Sequence, residues 1–270
     1  MHRFYLPPER CTCDELLLDD REAHHALHVL RVKRGEPVVV LDGAGREFLC
    51  EIAGASRNNV TLQVNQKNVV PPPACLITLL LAVPKGKIIE SIIQKSAELG
   101  AHRLVPLLTE RVVTHLNEKE RTDRREKWQR VAIEAIKQCG AAWLPIIEKP
   151  ATIAEAMSRK PENGSESAPG SSPSAFNLQP SAFDLTLVGS LQTGRRHPRK
   201  CFQEFQTRHG RLPRNVAVWI GPEGDFTPGE LKAIQAGGAL PITLGSLTLR
   251  VETAAIYCLS ILNYELQRDH

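Results

Sequence analysis

From residue 75 the chain reads CLITLLLAV and then PKGKIIESIIQKSAELG, and this pair of patterns constrains the fold more than any other stretch. The first is a nearly unbroken apolar run, the pattern of a strand buried on both faces. The second places Ile88, Ile92 and Leu99 on one helical face with Ile89 and Ile93 beside them, and Gly100 where a helix C-cap belongs. A strand with no solvent face must be covered by helices above and below, which means a parallel α/β sheet. The rhythm continues with expected strands at residues 103–108, 143–147, 185–188, 216–220 and 240–244, and helices at about 117–139, 152–159 and 252–266. The last helix, TAAIYCLSILNYEL, is apolar around most of its circumference and should be buried in the domain or in a subunit interface.

The first 70 residues follow another rule. An apolar run at 37–41 ends in the turn signal Asp42-Gly43-Ala44-Gly45, and residues 47–52 form a second run. Val60, Leu62 and Val64 then alternate with polar neighbours, the period of a half-buried strand. An amphipathic stretch between Asp19 and Lys33 predicts a short helix. The whole reads as a small β-barrel-like module over residues 1–72, closed by Pro71-Pro72-Pro73. The α/β domain takes 73–270, interrupted at 158–183 by a Ser/Pro-rich low-complexity insertion containing PSAFNLQ and PSAFDLT.

Composition narrows the classes. The longest apolar run, residues 76–83, is far below the roughly 20 residues of a membrane span. No export signal opens the chain, so a cytoplasmic protein with seven reduced cysteines is expected. Cys11 and Cys13 make CxC without a second pair, and His24 and His28 lack a third ligand, so no metal site is expected. The basic excess sits in the middle of the chain, with 13 basic against 10 acidic residues at 73–157 and 8 against 4 at 158–213, peaking at Arg195-Arg196-His197-Pro198-Arg199-Lys200. That run fits either a solvated loop or contact with a polyanion.

The chemistry lies in the last fifth. Neither GxxxxGK[ST] nor GxGxxG follows the first α/β strand, so P-loop and dinucleotide sites are unsupported. Instead the strand VAVWI runs into Gly221-Pro222-Glu223-Gly224-Asp225-Phe226 and then Thr227-Pro228-Gly229-Glu230, a complete capping box. Its glycines allow a ligand to approach the backbone at the C-terminal end of a strand. A second strand–helix junction, Leu244-Gly245 through Leu249-Arg250 to Thr253-Ala254, opens a helix N-terminus with small residues. Arg250 calls for an anionic partner there, with Glu252 and Glu223 as structural candidates.

GPEGDFTPGE followed by LGSLTLRVETA resembles the signature of the SPOUT class of RNA methyltransferases, and more closely the bacterial RsmE family, which methylates N3 of a uridine in 16S ribosomal RNA. HRFYL, HHALHVLRVKRGEPVVVLDGAGREF, the PKGK helix, LVPLLTERVV and EKWQRVAIEAIKQC extend the similarity along nearly the whole chain. The resemblance implies an N-terminal PUA-like β-barrel, a C-terminal parallel sheet with a trefoil knot, a homodimer whose face is the terminal helix, and S-adenosylmethionine as cofactor. It assigns the cofactor loops to Gly221, Pro222, Glu223 and Gly224; to Leu244 and Gly245; and to Leu249, Arg250, Thr253 and Ala254. The loop around Gly189-Ser190-Leu191 is a third candidate. Arg250 and Glu223 are the expected catalytic residues, Arg250 for charge stabilisation and Glu223 for positioning or proton acceptance. RNA contacts fall to Arg3, Arg31 and Arg34 in the N-terminal module, and to Lys85, Lys95 and Arg111 on the blocks resembling the family's active-site face. Three positions depart from the family pattern: Asp225 stands at a usual glycine, and Ala141 and Leu247 at frequent arginines. The partner implied is ribosomal RNA or the small ribosomal subunit. Two other functions stay open at this stage: methylation of a different RNA position, and a ribosome assembly factor that has lost catalysis.

Overall fold

The computed structural model describes residues 1–111, 116–158 and 182–266, so the insertion expected at 158–183 lies, for residues 159–181, outside the described residues. The chain divides into two compact units. One comprises Met1–Pro72 together with Ile133–Leu144, and the other Pro73–Ala132 with the described residues from Pro145 onward.

In the first unit, β1 (His2–Tyr5), β2 (Glu15–Leu18), β3 (Pro37–Leu41), β4 (Arg46–Ala55) and β5 (Val60–Val69) form one sheet in the order β1-β3-β4-β5-β2. Only the β1–β3 pair is parallel. Alternate residues Val38 and Val40, Phe48, Cys50 and Ile52, and Val60 and Leu62 are buried, as the period-2 pattern requires. Phe4 from one edge strand and Leu16 and Leu18 from the other enter the same core, so the sheet is curled around it. The β3–β4 turn is held by buried Asp42, whose Oδ1 accepts from the backbone N–H of Ala44 (2.8 Å) and Arg46 (2.9 Å). The helix expected between Asp19 and Lys33 is split: α1 (Asp20–His24) is α-helical and His25–Leu30 continues as a π-turn.

Residues 143–147, expected as a strand of the α/β sheet, are placed differently by the structure. Trp143 bridges to Ala44, and its indole N–H donates to the carbonyls of Val70 (3.2 Å) and Pro71 (3.1 Å). The cause is steric: Gly45, at φ +92°, leaves the space the ring fills, where a Cβ would come within 2.5 Å of it. Only Ile146–Ile147 remains as a strand.

The second unit carries β6 (Leu76–Ala82), β7 (Arg103–Leu108), β8 (Ile146–Ile147), β9 (Ala151–Thr152), β10 (Leu185–Gly189), β11 (Asn215–Ile220) and β12 (Leu240–Ile242). They form an all-parallel sheet in the order β12-β10-β11-β6-β7-β8, with β9 also pairing β7. The helices are α2 (Ile88–Glu98), α3 (Glu118–Cys139), which crosses from this unit's residues into Ile133–Leu144, then α4 (Ile153–Ser158), α5 (Pro198–His209), α6 (Pro228–Ala236) and α7 (Val251–Leu266). Inner strands β6 and β11 are almost wholly buried, as continuous apolar runs require. The buried face of α2 is Ile89, Ile92, Ile93, Ser96 and Ala97, while Ile88 is 38% exposed, so the face expected through Ile88 is rotated toward Ile89. α7 packs on α2 and β6, and Ala255, Cys258, Leu259 and Leu262 are among its buried residues. Tyr257, Ser260 and Tyr264 on its other side are exposed.

Candidate active site

Because every strand of the second sheet runs in one direction, their C-terminal ends deliver the following loops to a single edge. Leu81 of β6 is level with Ile220 of β11, Ala82 with Leu107 of β7, and Gly189 of β10 with Ile242 of β12. The segments after Ala82, Leu108, Gly189, Ile220 and Ile242 therefore share that edge. Between three of them lies a cleft lined by residues of 189–195, 220–225 and 244–254.

The 221–226 loop is built by local hydrogen bonds. Asp225 N–H donates to Pro222 O (2.8 Å), closing a tight turn that leaves Asp225 at φ +65°. Asp tolerates this left-handed region better than most side chains, which gives a physical reason for Asp where the resembled family has glycine. The Asp225 carboxylate accepts from Phe226 N–H (2.9 Å) and, across the cleft, from Leu191 N–H (3.1 Å). The capping box of α6 forms as expected: Thr227 Oγ1 accepts from Glu230 N–H, and Glu230 accepts from Thr227 N–H. The other Glu230 oxygen accepts from Glu110 N–H (2.9 Å), tying the loop after β7 to this helix. Arg111 donates to Asp225 O (3.2 Å) and lies so close to Gly224 that a Cβ there would meet it at 3.0 Å.

Of the expected cofactor residues, Gly221, Pro222, Glu223, Leu244, Gly245, Leu249 and Ala254 line the cleft. Gly224, Arg250 and Thr253 stand next to it in sequence but outside its lining. Ser190, Leu191, Arg195, Asp225, Leu247 and Val251 join it. Gly245 is at φ +119°, and Thr243 Oγ1 accepts from its N–H (3.2 Å). The anionic partner expected for Arg250 is not found in Glu252 or Glu223: Arg250 is exposed and, among the described residues, pairs with neither. Its carbonyl accepts from Ala254 N–H (2.8 Å) and so starts α7. Glu223 is exposed at the cleft.

The expected RNA-contact residues separate. Lys85 is exposed in the loop after β6, at the same edge as the cleft, whereas Lys95 is exposed on α2. In the first unit Arg31 (φ +54°) and Arg34 are exposed beside the π-turn. Arg3 is engaged instead by the end of α3, donating to the carbonyls of Gln138 (3.2 Å) and Lys137 (3.5 Å). Among the described residues no His/Cys/Asp/Glu group could hold a metal, and no helix is long and apolar enough to cross a membrane.

Residues 71–263 match the sequence model of the RNA methyltransferase domain, and residues 18–65 that of the RNA methyltransferase PUA domain. The chain belongs to the RNA methyltransferase family. Among its relatives, the ribosomal RNA small subunit methyltransferase E of Synechocystis is 28% identical over 98% of this chain and 78% of its own length. The protein of the same name from Bacillus subtilis is 25% identical over 99% and 98%. A Legionella pneumophila methyltransferase, solved in complex with S-adenosylmethionine, superposes with a TM-score of 0.78 at 28% identity, over 97% of each chain. Membership in this methyltransferase family places the reaction class on the chain, and the cleft at the strand ends is where its geometry can hold a donor.

Proposed function

We propose that the protein transfers the methyl group of S-adenosylmethionine to N3 of a uridine in 16S ribosomal RNA. The observation that carries this reading is the cleft itself, formed by glycine-bearing loops at the C-terminal ends of β10, β11 and β12 in a chain of this family. Relatives carrying the small-subunit methyltransferase name point to the substrate. The residues fit the cofactor. Ile220, Leu244, Leu249 and Val251 offer an apolar wall for an adenine ring, and Glu223 and Asp225 put negative charge beside a sulfonium.

The bound cofactor supplies an electrophilic methyl group. Uridine N3 is a poor nucleophile while protonated, so a base must take its proton as the N–CH3 bond forms and the C–S bond breaks. Glu223, exposed at the cleft, is assigned that proton. Arg250, unpaired among the described residues at the start of α7, is assigned the charge that develops on the flanking carbonyl oxygens. Lys85 and Arg111 at this edge, with Arg31 and Arg34 of the first unit, are assigned to RNA phosphates. The reading includes a trefoil knot in the C-terminal sheet, a homodimer formed through the Tyr257–Tyr264 side of α7, and a cytoplasmic location where ribosomal RNA is made. The exposed tyrosines of α7 support the dimer.

Calorimetric titration of the full chain with S-adenosylmethionine tests the reading. One site per chain is expected, and absence of binding favours an assembly factor without catalysis. Arg250→Ala should bind the cofactor and lose methyl transfer; unchanged turnover removes Arg250 from the mechanism.

A further inference from the structure

The basic run 195–200 fits either a solvated loop or contact with a polyanion in the sequence, and the structure engages most of it internally. Arg196 pairs with Glu204 (3.0 Å) and Arg199 with Glu265 (3.2 Å). His197 Nδ1 accepts from Arg199 N–H (3.3 Å), capping α5. The backbone of Arg196 is laid along β12, donating to Pro241 O (2.9 Å) and accepting from Thr243 N–H (2.9 Å). In such an extended segment neighbouring side chains point to opposite sides. With Arg196 directed toward α5, Arg195 is directed into the cleft, where its guanidinium donates to Ser190 O (3.4 Å).

Arg195 is the one basic side chain among the cleft's described lining residues, and it forms no ion pair with any described residue. Two carboxylates, Glu223 and Asp225, line the same space. Two acidic groups and one guanidinium complement a ligand with two cationic centres and one carboxylate, the charge set of S-adenosylmethionine. The same two carboxylates disfavour an RNA phosphate at this point. Resting on the proposed methyltransferase function, we infer that Arg195 receives the α-carboxylate of the cofactor and sets the cleft's preference for an intact amino-acid arm.

Titration calorimetry on the full chain tests this with S-adenosylmethionine and with its decarboxylated form, which lacks only the carboxylate. Wild type should bind the complete cofactor about tenfold more tightly than the decarboxylated one, the scale of one charge-assisted hydrogen-bonded contact. Arg195→Ala should lose about that factor for the complete cofactor and keep wild-type affinity for the decarboxylated one, with Arg195→Lys recovering part of the loss. Equal losses for both ligands would mean that Arg195 only shapes the cleft, and overturn the inference. So would an unchanged cofactor affinity, whether alone or with weakened binding of 16S RNA in a gel shift; the latter assigns Arg195 to a phosphate. Failure of wild type to bind either ligand would instead bring down the methyltransferase reading beneath it.

Discussion

At position 225 the backbone requires φ +65° while the side chain carries the bond to Leu191 N–H, so two demands meet in one residue. Glycine meets the first and alanine neither. Asp225→Ala is therefore expected to be less stable than Asp225→Gly by about 1 kcal/mol, the cost of a Cβ in the left-handed region. Urea denaturation of the two variants checks this, and a reversed order contradicts the geometry. The cysteines make a second test. Burial pushes the Cys11 thiol up to about 11 and those of Cys50, Cys75 and Cys258 up to about 12, so they stay protonated at neutral pH. Cys201 is shifted upward by burial too. Only the thiolate reacts, so a thiol-exchange reagent at pH 8 should modify exposed Cys13 and Cys139 quickly and the other five only on unfolding. Fast reaction of more than two thiols would show the cores to be open.

Among the elements, α6 carries the firmest sequence signal and a role the signal did not contain. Thr227, Pro228 and Glu230 are legible as a capping box because each contact spans three residues. That Glu230 also holds Glu110 N–H, 120 positions away, depends on β7 and β11 ending at one edge. Thr227→Ala should cost about 1 kcal/mol by thermal or urea unfolding, the usual worth of an N-cap. Glu230→Ala should cost more, about 2 kcal/mol, because it also leaves the Glu110 amide without its acceptor. Equal losses would mean that the tie to Glu110 contributes nothing. The strands show the same division. β6 and β11 are readable because a strand buried on both faces is apolar throughout, whereas β1 and β2, four residues each, are too short to display a period. α2 was legible as a helix, but its buried side was off by one position because Ile88 and Ile89 are chemically alike and only packing distinguishes them.

For the whole molecule, what escaped the sequence is what distant residues decide. Trp143 leaves the α/β sheet because Gly45 makes room for its ring, and residues 133–144 cluster with the first unit. The basic run around Arg195 is dispersed by Glu204 on α5 and Glu265 on α7, neither of which is marked by local pattern. The GPEG and LG loops, by contrast, were recognisable where they stand, because a ligand loop at a strand end needs glycine locally. These loops line the cleft proposed to transfer a methyl group to small-subunit ribosomal RNA. The most direct measurement incubates the protein and methyl-tritiated S-adenosylmethionine with 30S subunits from a strain deleted for this gene, then digests the 16S RNA to nucleosides. The account predicts label in 3-methyluridine at one stoichiometric site, absent with Arg250→Ala. Label in another nucleoside, or none while wild type binds the cofactor, contradicts it.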